Sequence, residues 1–104
     1  MTELLNTTDM NRFITDGAST VQVVVCVAQW SRVCRNLQLD MSTFADNYES
    51  VRFATVDVDK CYDIKKKHTV ASVPTWLIFK NNELHDELST TNQYLVNKTI
   101  QKFL

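Results

Sequence analysis

Apolar residues run almost without interruption from Val21 to Ala28, with Gln22 the lone polar position, and most of the run is β-branched. A strand with one wet face alternates apolar and polar side chains, so this run fits a central strand covered on both faces. Upstream, Met10, Phe13 and Ile14 recur at helical spacing. Thr7 or Thr8 is the expected N-cap of that helix and Gly17 its stop, after a short strand around Leu4 and Leu5. Downstream, Val33, Leu37, Met41, Phe44 and Tyr48 recur every three or four residues. This spacing predicts a helix of about four turns after the Trp30-Ser31 turn, packing that face on the sheet. Val51 to Val58 reads as a second strand, Asp59 as the cap of a short helix over Lys60 to Lys67, and Thr75 to Phe79 as a third apolar strand. Asn tolerates the left-handed backbone of tight hairpins. Asn81-Asn82 therefore predicts that Thr75 to Phe79 pairs antiparallel with Glu83 to Leu88, where apolar and polar residues alternate. A last helix starts near Thr91 or Asn92 and carries Leu95, Val96, Ile100, Phe103 and Leu104 over one sheet face. The order β-α-β-α-β-α-β-β-α belongs to the α/β class, a mixed sheet between helices.

With 104 residues, 44% of them hydrophobic, the expectation is one domain spanning 1–104 around one core. Repeats, low-complexity tracts and Pro/Gly-rich linkers are absent, and a single Gly and a single Pro leave punctuation to Asn, Asp, Ser and Thr. The formal charge of −1 provides no general field for nucleic acid or an anionic membrane, so neither is an expected partner. No apolar run approaches the roughly 20 residues that span a bilayer, and residues 1–10 lack a signal-peptide pattern. Three cysteines, an odd number, suit a reducing compartment, so the expected location is cytoplasmic, with the nucleus as the alternative. The N-x-T sequons at Asn6 and Asn97 would then be unused.

The stretch Trp30-Ser31-Arg32-Val33-Cys34 follows the apolar run directly and has the outline of a dithiol redox site without its leading thiol. A C-x-x-C pair at a strand end exchanges electrons because a low-pKa thiolate attacks a partner disulfide and a second thiol, one helical turn on, resolves the intermediate. Ser31 occupies the attacking position. Its hydroxyl is not ionised near neutral pH and forms no disulfide, so the two-electron couple is lost.

Ala28-Gln29-Trp30 before the turn, Val56-Asp57-Val58-Asp59 ending a strand, Val73-Pro74-Thr75 and Phe79-Lys80-Asn81 together resemble the thioredoxins over nearly the whole chain. Cys61 within Asp57-Val58-Asp59-Lys60-Cys61-Tyr62-Asp63-Ile64 resembles the cytosolic thioredoxins of animals in particular, as does Ser89-Thr90-Thr91-Asn92 followed by Thr99-Ile100. The resemblance implies the thioredoxin fold and a site reading W-C-G-P-C. Trp30 then matches the tryptophan, Ser31 replaces the attacking cysteine, Arg32 the glycine and Val33 the proline, and Cys34 keeps the resolving position. It further implies that Val25 stands in place of a buried proton-relaying aspartate, Thr55 in place of a lysine that interacts with it, and Thr90 in place of a glycine that lets a partner backbone approach. Pro74 is implied to follow a cis bond in a loop facing the site, where Val73 would hydrogen-bond an extended partner segment.

The expected function is therefore a protein-binding module using the inherited groove, formed by Trp30, Ser31, Arg32, Val33, Val73, Pro74, Thr75 and Thr90, without dithiol-disulfide reductase activity. Its expected partner is a protein or peptide in extended conformation. A monothiol oxidoreductase using Cys34, or a redox sensor using Cys34 or Cys61, is the alternative; accessibility of the Cys34 sulfur discriminates between module and enzyme. Ser31 as a hydrolytic nucleophile lacks an adjacent base, since His68 and His85 lie on segments with no reason to meet it, and an N-cap role is expected instead. Cys34 is expected to be partly buried, whereas Cys61 begins a helix and is expected to be the more exposed thiol. A monomer is expected, with a Cys61-linked dimer as the alternative. Cys26, Cys34, Cys61, His68 and His85 show no paired metal-ligand spacing, so neither a metal nor another cofactor is implied. Lys65-Lys66-Lys67-His68 is read as a solvated helix face.

Overall fold

The computed structural model describes residues 2–17, 20–68 and 70–104, with the side chains of residues 42–44 outside the description. The apolar run forms strand β2, Val21–Val27, and all seven of its residues are buried. It lies in the middle of a five-stranded sheet ordered β1-β3-β2-β4-β5. Strands β1 (Thr2–Leu4) and β3 (Val51–Asp57) lie on one side of it, and β4 (Thr75–Lys80) and β5 (Glu83–Leu88) on the other. Strand β2 pairs parallel with β3, Val21 opposite Val51 and Val27 opposite Asp57, and antiparallel with β4, Cys26 opposite Thr75. A fully flanked strand leaves no wet face, which explains the lack of alternation.

Successive side chains of β2 point to opposite faces, and each face meets its own pair of helices. Val24 and Cys26 join Met10, Phe13 and Ile14 of α1 (Thr7–Asp16) and Ile64 of α3 (Tyr62–Lys67). Val21, Val23, Val25 and Val27 join Cys34, Leu37 and Met41 of α2 (Arg32–Asp46) and Val96 and Ile100 of α4 (Gln93–Gln101). Among the described residues no helix is long and apolar enough to cross a membrane.

Local chemistry departs from the sequence expectation at several helix ends. Asn6, not Thr7 or Thr8, caps α1: its Oδ1 accepts from Asp9 N–H at 2.8 Å, and Asp9 Oδ2 accepts from Leu5 N–H in return. This is a reciprocal capping arrangement, and its signature, Asn followed three residues later by an acid, was present in the sequence. Gly17 is the C-cap as expected. Asp59 does not cap α3. The preceding turn is held by Asp57, whose Oδ1 accepts from Asp59 N–H at 2.9 Å, and Cys61 is the N-cap without a side-chain capping bond. In α2, Val33 is 48% exposed while Cys34 is buried, so the packed face begins one residue later than the apolar spacing suggests. Phe44 lies outside the described side chains, and Tyr48 sits beyond the helix, donating its hydroxyl to Asn97 Oδ1. Leu95 and Leu104 are exposed, so Val96, Thr99 and Ile100 form the buried face of α4, capped by Asn92. Asn81 and Asn82 have φ of 54° and 65°, as a tight β4–β5 hairpin requires.

Candidate binding site at the degenerate redox motif

Parallel pairing of β2 with β3 brings the ends of both strands to one edge of the sheet, and the antiparallel β4 begins at that same edge. Val58 N–H donates to the Val27 carbonyl at 3.0 Å, and Thr75 lies opposite Cys26. Five connections thus share this edge: 5–6 after β1, 28–31 after β2, 58–61 after β3, 70–74 before β4 and 89–92 after β5. Residues far apart in the chain, Trp30 to Cys34 and Val73 to Thr75, are therefore assembled on one rim by topology alone.

At the start of α2, Ser31 Oγ accepts from Cys34 N–H at 3.3 Å, and the Ser31 carbonyl accepts from Arg35 N–H at 3.0 Å. The hydroxyl is thus a helix cap, the role expected for it. Neither histidine supplies it with a base: His68 ends α3 against Phe79, and His85 packs beside Phe103 with its Nε2 at 3.1 Å from the Lys80 carbonyl. Arg32 and Val33 both face solvent, and Arg35 Nη1 donates to the Gln29 carbonyl at 2.6 Å, bracing the turn that carries Trp30. Trp30 itself is 71% exposed. Its indole is not used to pack the strand end, which leaves a large amphipathic surface at the rim.

Cys34 is 0% exposed, a stronger burial than the sequence suggested. It shares its apolar cluster with Val25, Val27 and Trp76, and Val73 packs against the same cluster. Val25, also fully buried, offers no carboxyl or hydroxyl to that cluster, so no polar side chain of β2 serves the thiol on this face. Thr55 lies opposite Val25 in the neighbouring strand and is only half-buried.

Cys61 is the clearest correction. It is 5% exposed, and its thiol donates to the Leu4 carbonyl at 3.5 Å, so the helix start turns it inward against β1. Burial, followed by the nearby carboxylates of Asp57, Glu3 and Asp9, raises its pKa. An inward thiol held protonated does not suit the exposed-sensor role, nor a ready intermolecular disulfide. Cys26 is buried in the central strand, and burial pushes its pKa up to about 12, with Cys61 and Glu87 adding to the shift. All three cysteines are free thiols. Among the described residues no group of three or more His, Cys, Asp and Glu is arranged to hold a metal ion.

The opposite wall is the 70–75 loop, in which the Val73–Pro74 bond is cis. Pro74 is buried and Val73 half-buried. Thr75 is buried, its Oγ1 donating to the Ser72 carbonyl at 2.6 Å and lying 2.9 Å from Ser89 Oγ. Trp76, wholly buried, donates its indole N–H to the Thr90 carbonyl at 3.0 Å. Sequence reasoning missed Ser72, Trp76 and Ser89. Trp76 could have been suspected from its place beside Thr75 in an apolar strand, since a buried indole needs an acceptor, but no spacing signal links it to Thr90. The Thr90 hydroxyl accepts from Asn92 N–H at 3.0 Å, so this side chain shapes the turn into α4.

A family model described as Thioredoxin matches residues 1–103. The chain belongs to the thioredoxin family. A thioredoxin of Echinococcus granulosus is 36% identical over 62 residues, 58% of each chain, and a thioredoxin of Callithrix jacchus is 29% identical over 105 residues and the full length of both. Among solved structures, the Fasciola hepatica thioredoxin superposes with a TM-score of 0.95 at 29% identity, covering both chains completely. The sheet order and the four helices are thus those of a thioredoxin fold, as the sequence resemblance implied.

Proposed function

We propose that this thioredoxin-like protein does not run the dithiol cycle and acts as a protein-binding module, through a groove between Trp30, Ser31, Arg32 and Val33 on one wall and Val73, Pro74, Thr75 and Thr90 on the other. One observation carries the reading: the only thiol left in the redox motif is 0% exposed beneath a serine cap, while the tryptophan beside it is 71% exposed. Thiol-disulfide exchange requires in-line approach of a sulfur to the thiolate, and a sulfur without surface cannot be approached. The recognition elements remain at the rim, so the contacts outlast the chemistry. The partner is a protein or peptide that enters extended, and neither nucleic acid nor membrane is called for. A monomer and a reducing compartment, cytoplasmic or nuclear, suit three buried free thiols.

Two measurements test this. Alkylation with iodoacetamide, mapped by mass spectrometry, should leave Cys34 unmodified in the native protein and label it in denaturant. Labelling of native Cys34 at the rate of a free thiol would favour the monothiol oxidoreductase. Partner capture should resist dithiothreitol and be lost in Trp30→Ala; capture abolished by dithiothreitol would instead mean mixed disulfides.

A further inference from the structure

The charge of the chain is segregated around the groove. At the groove edge, the connections and the residues adjoining them, 5–9, 28–35, 57–75 and 89–92 with all of the short α3 included, hold six basic residues (Arg32, Arg35, Lys60, Lys65, Lys66, Lys67) against four acidic ones (Asp9, Asp57, Asp59, Asp63). The remaining residues hold five basic against eight acidic. A chain of net charge −1 therefore presents +2 at the edge of its candidate site and −3 elsewhere. Of the four acids at the edge, Asp57 is buried and its Oδ1 accepts from the N–H groups of Asp59 and Lys60, and Asp9 accepts from Leu5 N–H.

The positive charge has a shaped receptacle. Tyr62, Lys65 and Lys66 of α3, with Val70 and Ala71, line a pocket of about 320 Å³, and Tyr62 is 64% exposed. Val70 N–H donates to the Lys65 carbonyl at 3.0 Å, which fastens the backbone entering the Val73–Pro74 turn to the last turn of α3. The pocket is thus continuous along the chain with the cis-proline wall of the groove. Its lining thus combines an aromatic residue, two aliphatic ones and two lysines.

We propose that the partner segment is an acidic peptide, with an Asp or Glu side chain seated at Lys65 and Lys66 while its neighbouring apolar residue lies against Tyr62 and the rest runs toward Trp30 and Thr75. This deepens the groove reading and rests on it. An acidic segment is drawn to the positive edge, and a basic one is repelled there, so the charges select the partner and speed encounter more than they add bulk affinity.

Panning a random peptide library on the intact protein tests the proposal without presupposing a sequence. The selected peptides should be net negative. A representative peptide, measured by fluorescence anisotropy, should bind about tenfold or more weakly to Lys65→Glu/Lys66→Glu, less weakly to Lys65→Gln/Lys66→Gln, and more weakly at high salt. Lys66 is exposed and Lys65 half-buried, so these variants should fold, which circular dichroism checks. Peptides that are neutral or basic, depend on Trp30 and ignore the lysines would overturn the acidic partner and leave the groove standing. Failure to select any peptide whose binding is lost in Trp30→Ala would remove the groove reading and this inference together.

Discussion

Ser31 and Cys34 divide one job differently from a redox pair: the hydroxyl caps the helix, and the thiol fills the core beneath it. Ser31→Ala should therefore lower stability by about 1 kcal/mol, the usual cost of a lost N-cap, as a denaturant titration would show. Replacing Val25 by Asp places a carboxyl in a fully apolar cluster, and destabilisation on the order of 1–3 kcal/mol or more is expected in the same titration. Buried cysteines add a pH dependence. The unfolded chain releases the Cys26 proton near 9, whereas the folded chain holds it to about 12. The contribution is whole below pH 9 and is lost as pH rises from 9 toward 12, by up to about 1.4 kcal/mol per pH unit. Cys61 shifts in the same direction. Denaturation followed from pH 7 to 11 should thus show a steeper alkaline decline in the native protein than in Cys26→Val.

At the scale of elements, strands and helix spacing were legible because burial imposes a period, and the ends were less so because caps depend on single side chains. The apolar run at Val21 to Ala28, the Asn81-Asn82 turn and Gly17 all read correctly from local chemistry. Asn6 was passed over for its threonine neighbours although Asp9 completed its signature. Val33 is apolar and in step with the packed face of α2, yet it is 48% exposed and its neighbour Cys34 takes the inward position. The inward turn of Cys61 was not readable, since it depends on β1 meeting the start of α3 across 57 residues of chain. The hairpin gives a direct test: with φ of 65°, Asn82→Gly should be neutral or slightly stabilising, and Asn82→Val should cost on the order of 1–2 kcal/mol, both read as thermal midpoints. The first turn of α2 gives another. Ser31→Cys with Arg32→Gly and Val33→Pro keeps the helix, because a proline in the first turn removes only an N–H with no intrahelical partner. The introduced thiol then sits at the positive end of the dipole, and weak disulfide exchange should appear, below that of an ordinary thioredoxin because Val25 supplies no proton relay. A folded triple variant with both thiols apposed and no exchange at all would show that the site has diverged beyond its inherited geometry.

Across the whole molecule, the sheet keeps two apolar faces under four helices, and the edge that carries the candidate site gathers five connections with an excess of positive charge. That edge was legible only in part: the motif residues and the Val73-Pro74-Thr75 loop could be named from the sequence, but their shared rim and the depth of Cys34 depend on strand pairing. A reductase needs an approachable sulfur at this edge, and a binding module needs only an approachable surface. The most direct measurement is turnover of a protein disulfide with thioredoxin reductase or dithiothreitol as electron source. Background turnover, identical for the native protein and Cys34→Ser, is the predicted result; turnover above background that disappears in Cys34→Ser would contradict it.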